Sequence, residues 1–217
     1  MQRDRAVIFD LDGTLLDTLG DIADSMNTVL GRSGLPPHTR ETYLSFIGEG
    51  MDVLVRRALP EDMRDEKTVS RFVLSMREEY DRRWAQTSQP YQGVPELLSL
   101  LTEKGIPFAV LSNKLDSFTK IMVERFLGAW RFFDVRGLIF GMPRKPDPAL
   151  ALEIASDMKI LPARIFFVGD SDIDVKTALN AGMTPVGVSW GYQSVDRLTA
   201  SGAKTILARP QELLDHL

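Results

Sequence analysis

"VIFDLDGTLLDT", residues 7–18, begins as a short apolar run that is broken by two aspartates, Asp10 and Asp12, one residue apart. Val, Ile and Phe bounded by turn residues read as a strand, and a strand apolar on both faces belongs inside a parallel sheet. Comparable runs recur at 107–112 (PFAVLS), 137–141 (GLIFG), 164–170 (RIFFVGD), 184–190 (TPVGVSW) and, more weakly, 204–208 (KTILA). Between them lie the helical patterns "VPELLSLLTEKG", "DSFTKIMVERFLG", "PALALEIASDMK" and "IDVKTALNAG". Pro near the start and Gly just past the end punctuate the first of these as helix boundaries. Alternating strand and helix predicts an α/β fold with a doubly wound, mostly parallel sheet.

One interval breaks the alternation. From Leu11 to Pro107 the chain runs through roughly a hundred residues, whereas a parallel crossover needs only about a dozen. The excess has helical periodicity. Leu19, Ile22, Met26, Val29 and Leu30 share one stripe; Val69, Phe72, Val73, Met76, Tyr80 and Trp84 share another. Such stripes read as helices packing on helices. The expected organisation is therefore a core of residues 1–14 and 89–217, interrupted by a helical insertion at 15–88.

Composition narrows the function. The 217 residues are 44% hydrophobic and 26% charged, as in an ordinary globular chain, with a formal net charge of -4 and no cysteine. Thiolate metal sites and disulfides are excluded. Nothing resembles the concentrated basic face that nucleic-acid backbones require. The apolar run in "MQRDRAVIFDL" is too short for a signal peptide and Asp10 interrupts it. No stretch approaches the ~20 apolar residues of a membrane span. The expected protein is cytoplasmic, binds neither nucleic acid nor membrane, and is a monomer or homodimer.

In open parallel sheets ligands bind at the carboxyl ends of the strands. Those ends here carry Asp10 and Asp12, then Ser112, Asn113 and Lys114, then Lys145 in "RKPDP", then Asp170, Asp172 and Asp174 in "GDSDID". Singly, each has a plain reading. The first pair fails the calcium-loop pattern, because Leu15 stands where that loop needs Gly, but it could be a turn. "RKPDP" could be a stiff entry to a helix, and Asp172 and Asp174 could simply favour a helix N-terminus. Together they make more sense. Several carboxylates at one cleft repel unless a hard cation sits among them, and an all-oxygen set suits Mg²⁺. Such a cation collects phosphate, whose oxygens a hydroxyl, a lysine and loop N–H groups can hold.

"FDLDGTLLDT", "LSNK", "RKPDP" and "VGDSDIDVKTALNAGM" resemble, in order and spacing, the four motifs of the haloacid dehalogenase superfamily. The likeness spans most of the chain, and the insertion resembles that superfamily's helical cap domain. A carboxylate at Asp12 resembles the phosphatase and phosphomutase branch. The resemblance implies that Asp10 is the nucleophile, forming an aspartyl-phosphate, and that Asp12 is general acid and then base. It implies that Ser112 and the Asn113 backbone bind phosphoryl oxygens and that Lys145 neutralises developing charge and steadies Asp10. Mg²⁺ would sit on Asp10, Asp170 and the Asp12 carbonyl. Asp174, four residues after Asp170 and so on the same helix face, would support the metal ligands from behind. On this reading the adjacent aspartates are kept in different protonation states, and their repulsion serves the mechanism.

Selectivity would come from the insertion. There Gly48, Glu49 and Gly50, in "SFIGEGMDVLVRRAL", resemble a segment of phosphoglycolate phosphatases, though a plain interhelical turn would look alike. The expected substrate is a small phosphorylated metabolite, 2-phosphoglycolate or similar, with Lys114 also within substrate reach. A broad sugar-phosphate phosphatase, an inorganic pyrophosphatase and a β-phosphoglucomutase-like mutase share these motifs. A phosphate-dependent sensor would not need the full set of Asp10, Asp12, Lys145 and Asp170. Glu49 is the discordant residue, since an acid aimed at the site would repel an acidic substrate unless Arg40, Arg56 or Lys114 outweighed it.

Overall fold

The computed structural model describes residues 5–217; residues 1–4, which open the stretch considered as a signal peptide, lie outside the described part. In chain order the elements are β1 (Ala6–Phe9), β2 (Leu16–Asp17), α1 (Leu19–Arg32), α2 (Arg40–Leu44), α3 (Met51–Ala58), α4 (Glu66–Arg83) and β3 (Gln89–Pro90). Next come α5 (Val94–Glu103), β4 (Phe108–Leu115), α6 (Asp116–Leu127), β5 (Val135–Leu138), α7 (Ala149–Met158) and β6 (Ile165–Gly169). The chain ends with α8 (Asp172–Asn180), β7 (Thr184–Val188), α9 (Val195–Ala200), β8 (Thr205–Leu207) and a 3₁₀ turn.

Six strands form one sheet in the order β5-β4-β1-β6-β7-β8, and every pairing in it is parallel. β1 lies between β4 and β6, with Phe9 opposite Val110 on one side and Val168 on the other. Both faces are covered, as the doubly apolar strands require. Ala6, Ile8, Leu111 and Phe167 pack with Ile154 of α7 and Ala178 of α8. Phe9 and Val168 point the other way, lining a small gap with Val94 and Leu97 of α5 and Leu213. Burying such side chains contributes roughly 1.5–3 kcal/mol each, which fixes the sheet that carries the strand ends.

One expected strand is displaced. "GLIFG" at 137–141 is strand only to Leu138, and β5 begins earlier, at Val135. Ile139 and Phe140 are exposed, so their apolar character marks a loop and not a buried ladder. β5 pairs only with β4, whose register breaks between Leu111 and Leu115, and the ladder ends at Leu138 opposite Leu115.

The chain forms two compact units: residues up to Leu16 with Pro90–Leu217, and Asp17–Gln89. β2 and β3 pair where the chain leaves and rejoins the first unit. Within the second, α1 and α4 pack along one another with Ile22, Met26, Val29, Leu30, Phe72, Met76 and Tyr80 buried. Glu79 of α4 is buried and accepts from Arg83 at 2.6 Å and Arg32 of α1 at 2.8 Å, and the Arg83 bond leads in holding its carboxyl below the usual range. Buried Asp21 accepts from the backbone and hydroxyl of both Thr87 and Ser88, tying the start of α1 to the returning chain.

Candidate active site

The strand ends bring most of the predicted residues together. Asp10 continues the ladder beyond β1, its N–H donating to Val168 O at 2.9 Å. The chain then turns sharply: the Leu11 carbonyl accepts from Thr14, Leu15 and Leu16, and Gly13 has φ +84°, a left-handed value that glycine adopts without strain. Gly13 also makes room, since a Cβ there would lie 2.3 Å from an Asp170 carboxylate oxygen.

Lys145 is the hub. Its side chain is 3% exposed, and Nζ donates to Asp10 Oδ1 and Asp174 Oδ1, both at 2.7 Å, with the Phe167 ring 5.6 Å away. Burial alone would lower the lysine's pKa, but the two carboxylates outweigh it and raise it. Asp170 lies beside them, accepting from Tyr192 N–H at 2.7 Å and Thr14 Oγ1 at 3.2 Å. Oxygens of Asp10, Asp170 and Asp174 all fall within 4.8 Å of one another.

Asp174 differs from expectation in how it gets there. Asp170 is not helical: it precedes Ser171, the N-cap of α8, and Asp174 is the third helical residue, closing a capping box with Ser171. Asp174 Oδ2 accepts from Ser171 N–H and Oγ while Oδ1 accepts from Lys145, so both oxygens are engaged by protein groups. Gly169 permits this approach; a Cβ there would meet Asp174 Cβ at 2.3 Å. Asp172 turns away, pairing with Lys176, Gln193 and Arg197, which together outweigh burial and hold its carboxyl low.

The cluster carries more negative than positive charge. Burial is the leading reason that Asp10 is pushed up to about 7; Lys145 pulls it down and Asp174 pushes it further up. Burial, then Asp174 and Asp10, raise Asp170 well above the carboxylate range. Two buried carboxyls that resist ionisation, in an all-oxygen set, fit a hard divalent cation.

The Asp12 carboxylate receives Lys114 Nζ at 3.1 Å on each oxygen, and its charge adds to the raising of Asp10. Ser112 is buried at the irregular end of β4, its Oγ accepting from Lys114 N–H. Asn113 has a use beyond the backbone contact that the motif implies, for its side chain bonds the Lys145 backbone. Gly48, Glu49 and Gly50 belong to the second unit. Gly48 and Gly50 have φ of 116° and 100°, Gly50 caps α3, and Glu49 is ion-paired with Arg57. Thr14, Ser171, Trp190 and Tyr192 also bond into the site, a role that no motif in the sequence assigns to them. Trp190 Nε1 donates to the Thr14 carbonyl at 3.0 Å, a contact 176 residues apart that no local pattern announces.

Residues 7–188 match the family described as haloacid dehalogenase-like hydrolase. Among curated relatives, the phosphoglycolate phosphatase of Aquifex aeolicus is 31% identical, over 97% of this chain and 95% of its own. The N-acetylmuramic acid 6-phosphate phosphatase of Pseudomonas aeruginosa is also 31% identical, over 98% and 94%. A Lactobacillus delbrueckii subsp. bulgaricus crystal structure, provisionally assigned as a phosphoglycolate phosphatase, superposes with a TM-score of 0.91 at 29% identity, covering 100% of this chain and 98% of its own.

Proposed function

The chain belongs to the haloacid dehalogenase-like hydrolases and is a phosphatase, and on that premise we propose that it hydrolyses a small phosphomonoester, 2-phosphoglycolate or similar, with Mg²⁺ and through an aspartyl-phosphate at Asp10. The observation that carries the reading is the buried Asp10–Lys145–Asp174 bridge with Asp170 beside it, at the carboxyl end of the sheet.

In the proposed reaction an Asp10 carboxylate oxygen attacks phosphorus and the ester P–O bond breaks. Asp12 gives its proton to the departing alkoxide. Water then attacks the same phosphorus as Asp12 takes its proton, releasing inorganic phosphate and restoring Asp10. Lys145, Ser112 and the Asn113 N–H hold phosphoryl oxygens. Asp10, Asp170 and the Asp12 carbonyl would hold Mg²⁺, which when bound would supply positive charge against the phosphoryl group. Asp174 holds Lys145 in place for this.

Residues 15–88 act in this reading as the cap that selects substrate through Gly48–Glu49–Gly50, and Lys114 of the core is a further substrate contact. Glu49 pairs with Arg57, which offsets part of its charge. The enzyme would work in the cytoplasm as a monomer or homodimer; no helix among the described residues is long and apolar enough to cross a membrane. A second reading, a sugar-phosphate phosphatase, is favoured by the equal identity to the N-acetylmuramic acid 6-phosphate enzyme.

A phosphate-release screen decides between them. With Mg²⁺, the expected kcat/KM is highest for phosphoglycolate, above sugar phosphates, nucleotides and pyrophosphate, and Asp10→Asn abolishes release. A sugar phosphate ranking first overturns the leading reading in favour of the second. Turnover by Asp10→Asn near the wild-type rate contradicts both.

A further inference from the structure

Lys145 reaches the site from an unpromising place. It lies in the loop joining β5 to α7, where residues 139–144 are exposed, yet Lys145 itself is buried. A lysine's four-carbon stem is flexible, so the ammonium is well placed only if its backbone is held. Asn113, 5% exposed on β4, does the holding. Its Nδ2 donates to the Lys145 carbonyl at 3.0 Å and its Oδ1 accepts from the Lys145 N–H at 2.9 Å. One side chain thus satisfies the donor and acceptor of one residue, as a neighbouring strand would. The reverse amide orientation would face oxygen to oxygen. The next carbonyl, that of Pro146, is held separately by Asn180 of α8, nearer the surface.

We infer that Asn113 is a positioning residue: its carboxamide clamps the Lys145 peptide so that the ammonium lands between Asp10 and Asp174. This assigns the side chain a task distinct from the backbone N–H contact to phosphate. The inference rests on the reading of Lys145 as part of the phosphoryl-transfer machinery.

The test compares the full-length wild type with Asn113→Ala in two ways. Steady-state kinetics with Mg²⁺ should show kcat falling about 10–100-fold, as for lost supporting contacts to ligating groups, with KM little changed. Pulse acetylation of the metal-free protein, read by peptide mass spectrometry, should show Lys145 labelled about tenfold faster through local opening. The exposed lysines Lys120 and Lys176 calibrate the reagent, and the buried Lys114, held by Asp12, should label at the wild-type rate, which a general loosening would not allow. Should Asn113→Ala fail to fold, Asn113→Leu, which keeps the bulk and removes both the donor and the acceptor without adding charge, is carried through both measurements with the same directions expected. Unchanged kcat, or a lower kcat with Lys145 as protected as before, overturns the inference. A wild type that releases no phosphate from any ester defeats the underlying reading instead, and the labelling still reports on the clamp.

Discussion

Asp10 is asked to be two things, a buried carboxyl and an anion, and its surroundings explain how it can be both. Without a cation, burial pushes it up to about 7 from an ordinary 3.8, despite Lys145. In that state the folded protein binds a proton at Asp10 that the unfolded chain has already lost between roughly pH 4 and 7, so folding stability falls as pH rises through that window. Asp10→Asn carries no such proton. In EDTA, thermal melts should show the variant little different from wild type near pH 4 and increasingly more stable towards pH 7, by on the order of 1–4 kcal/mol. Saturating Mg²⁺ should remove that advantage. A difference that stays constant with pH would mean that Asp10 ionises in the apoprotein like an exposed carboxylate. Legibility at this scale was uneven. Asp10, Lys145 and Asp170 could be named because carboxylates and a lysine at strand ends have few other uses. Asn113's clamp could not, because a side chain bonding a backbone 32 residues away leaves no mark in the sequence.

At the scale of elements, the site is made by the turns and loops that leave each strand. The turn after β1 brings Gly13 against Asp170, and the segment after β7 brings Gly191 against it from elsewhere, with a Cβ at 191 lying 2.1 Å from Asp170 Cβ and 2.5 Å from the Gly13 carbonyl. That contact is with backbone and a short side chain, neither of which can move aside cheaply. Gly191→Ala should therefore displace Asp170, raising the Mg²⁺ concentration for half-maximal activity about tenfold or more, as losses around metal ligands do. A metal titration matching wild type would show the 189–192 segment to be incidental. Doubly apolar strands are readable because both faces are buried, whereas in "VRGLIF" the apolar Ile139 and Phe140 are exposed beyond the end of β5. The relation of Asp170 to Asp174 was also misread. The spacing suggested one helix face, but the N-cap falls between them, and Ser171 was not recognised as the start signal.

For the whole molecule, the sheet and the order of its strands explain why four distant segments meet. β1 sits between β4 and β6, so the ends of the first, fourth and sixth strands are neighbours, and the loop after β5 delivers Lys145 to them. The long interval after Leu11 announced the second unit through its periodicity, since Ile22, Met26, Phe72, Met76 and Tyr80 are buried on α1 and α4. What that unit selects was not readable, because Gly48 and Gly50 report backbone conformation and not substrate. The proposed reaction turns on transfer of a phosphoryl group to one carboxylate. The direct measurement is rapid acid quench of the Mg²⁺-loaded enzyme during turnover, borohydride reduction, and mass spectrometry of the peptide holding residues 6–18. An acyl phosphate at Asp10 is reduced to homoserine, so homoserine is expected at position 10, dependent on substrate and absent elsewhere. Continued turnover with Asp10 unmodified, or homoserine at Asp12 or Asp170 instead, would contradict the account.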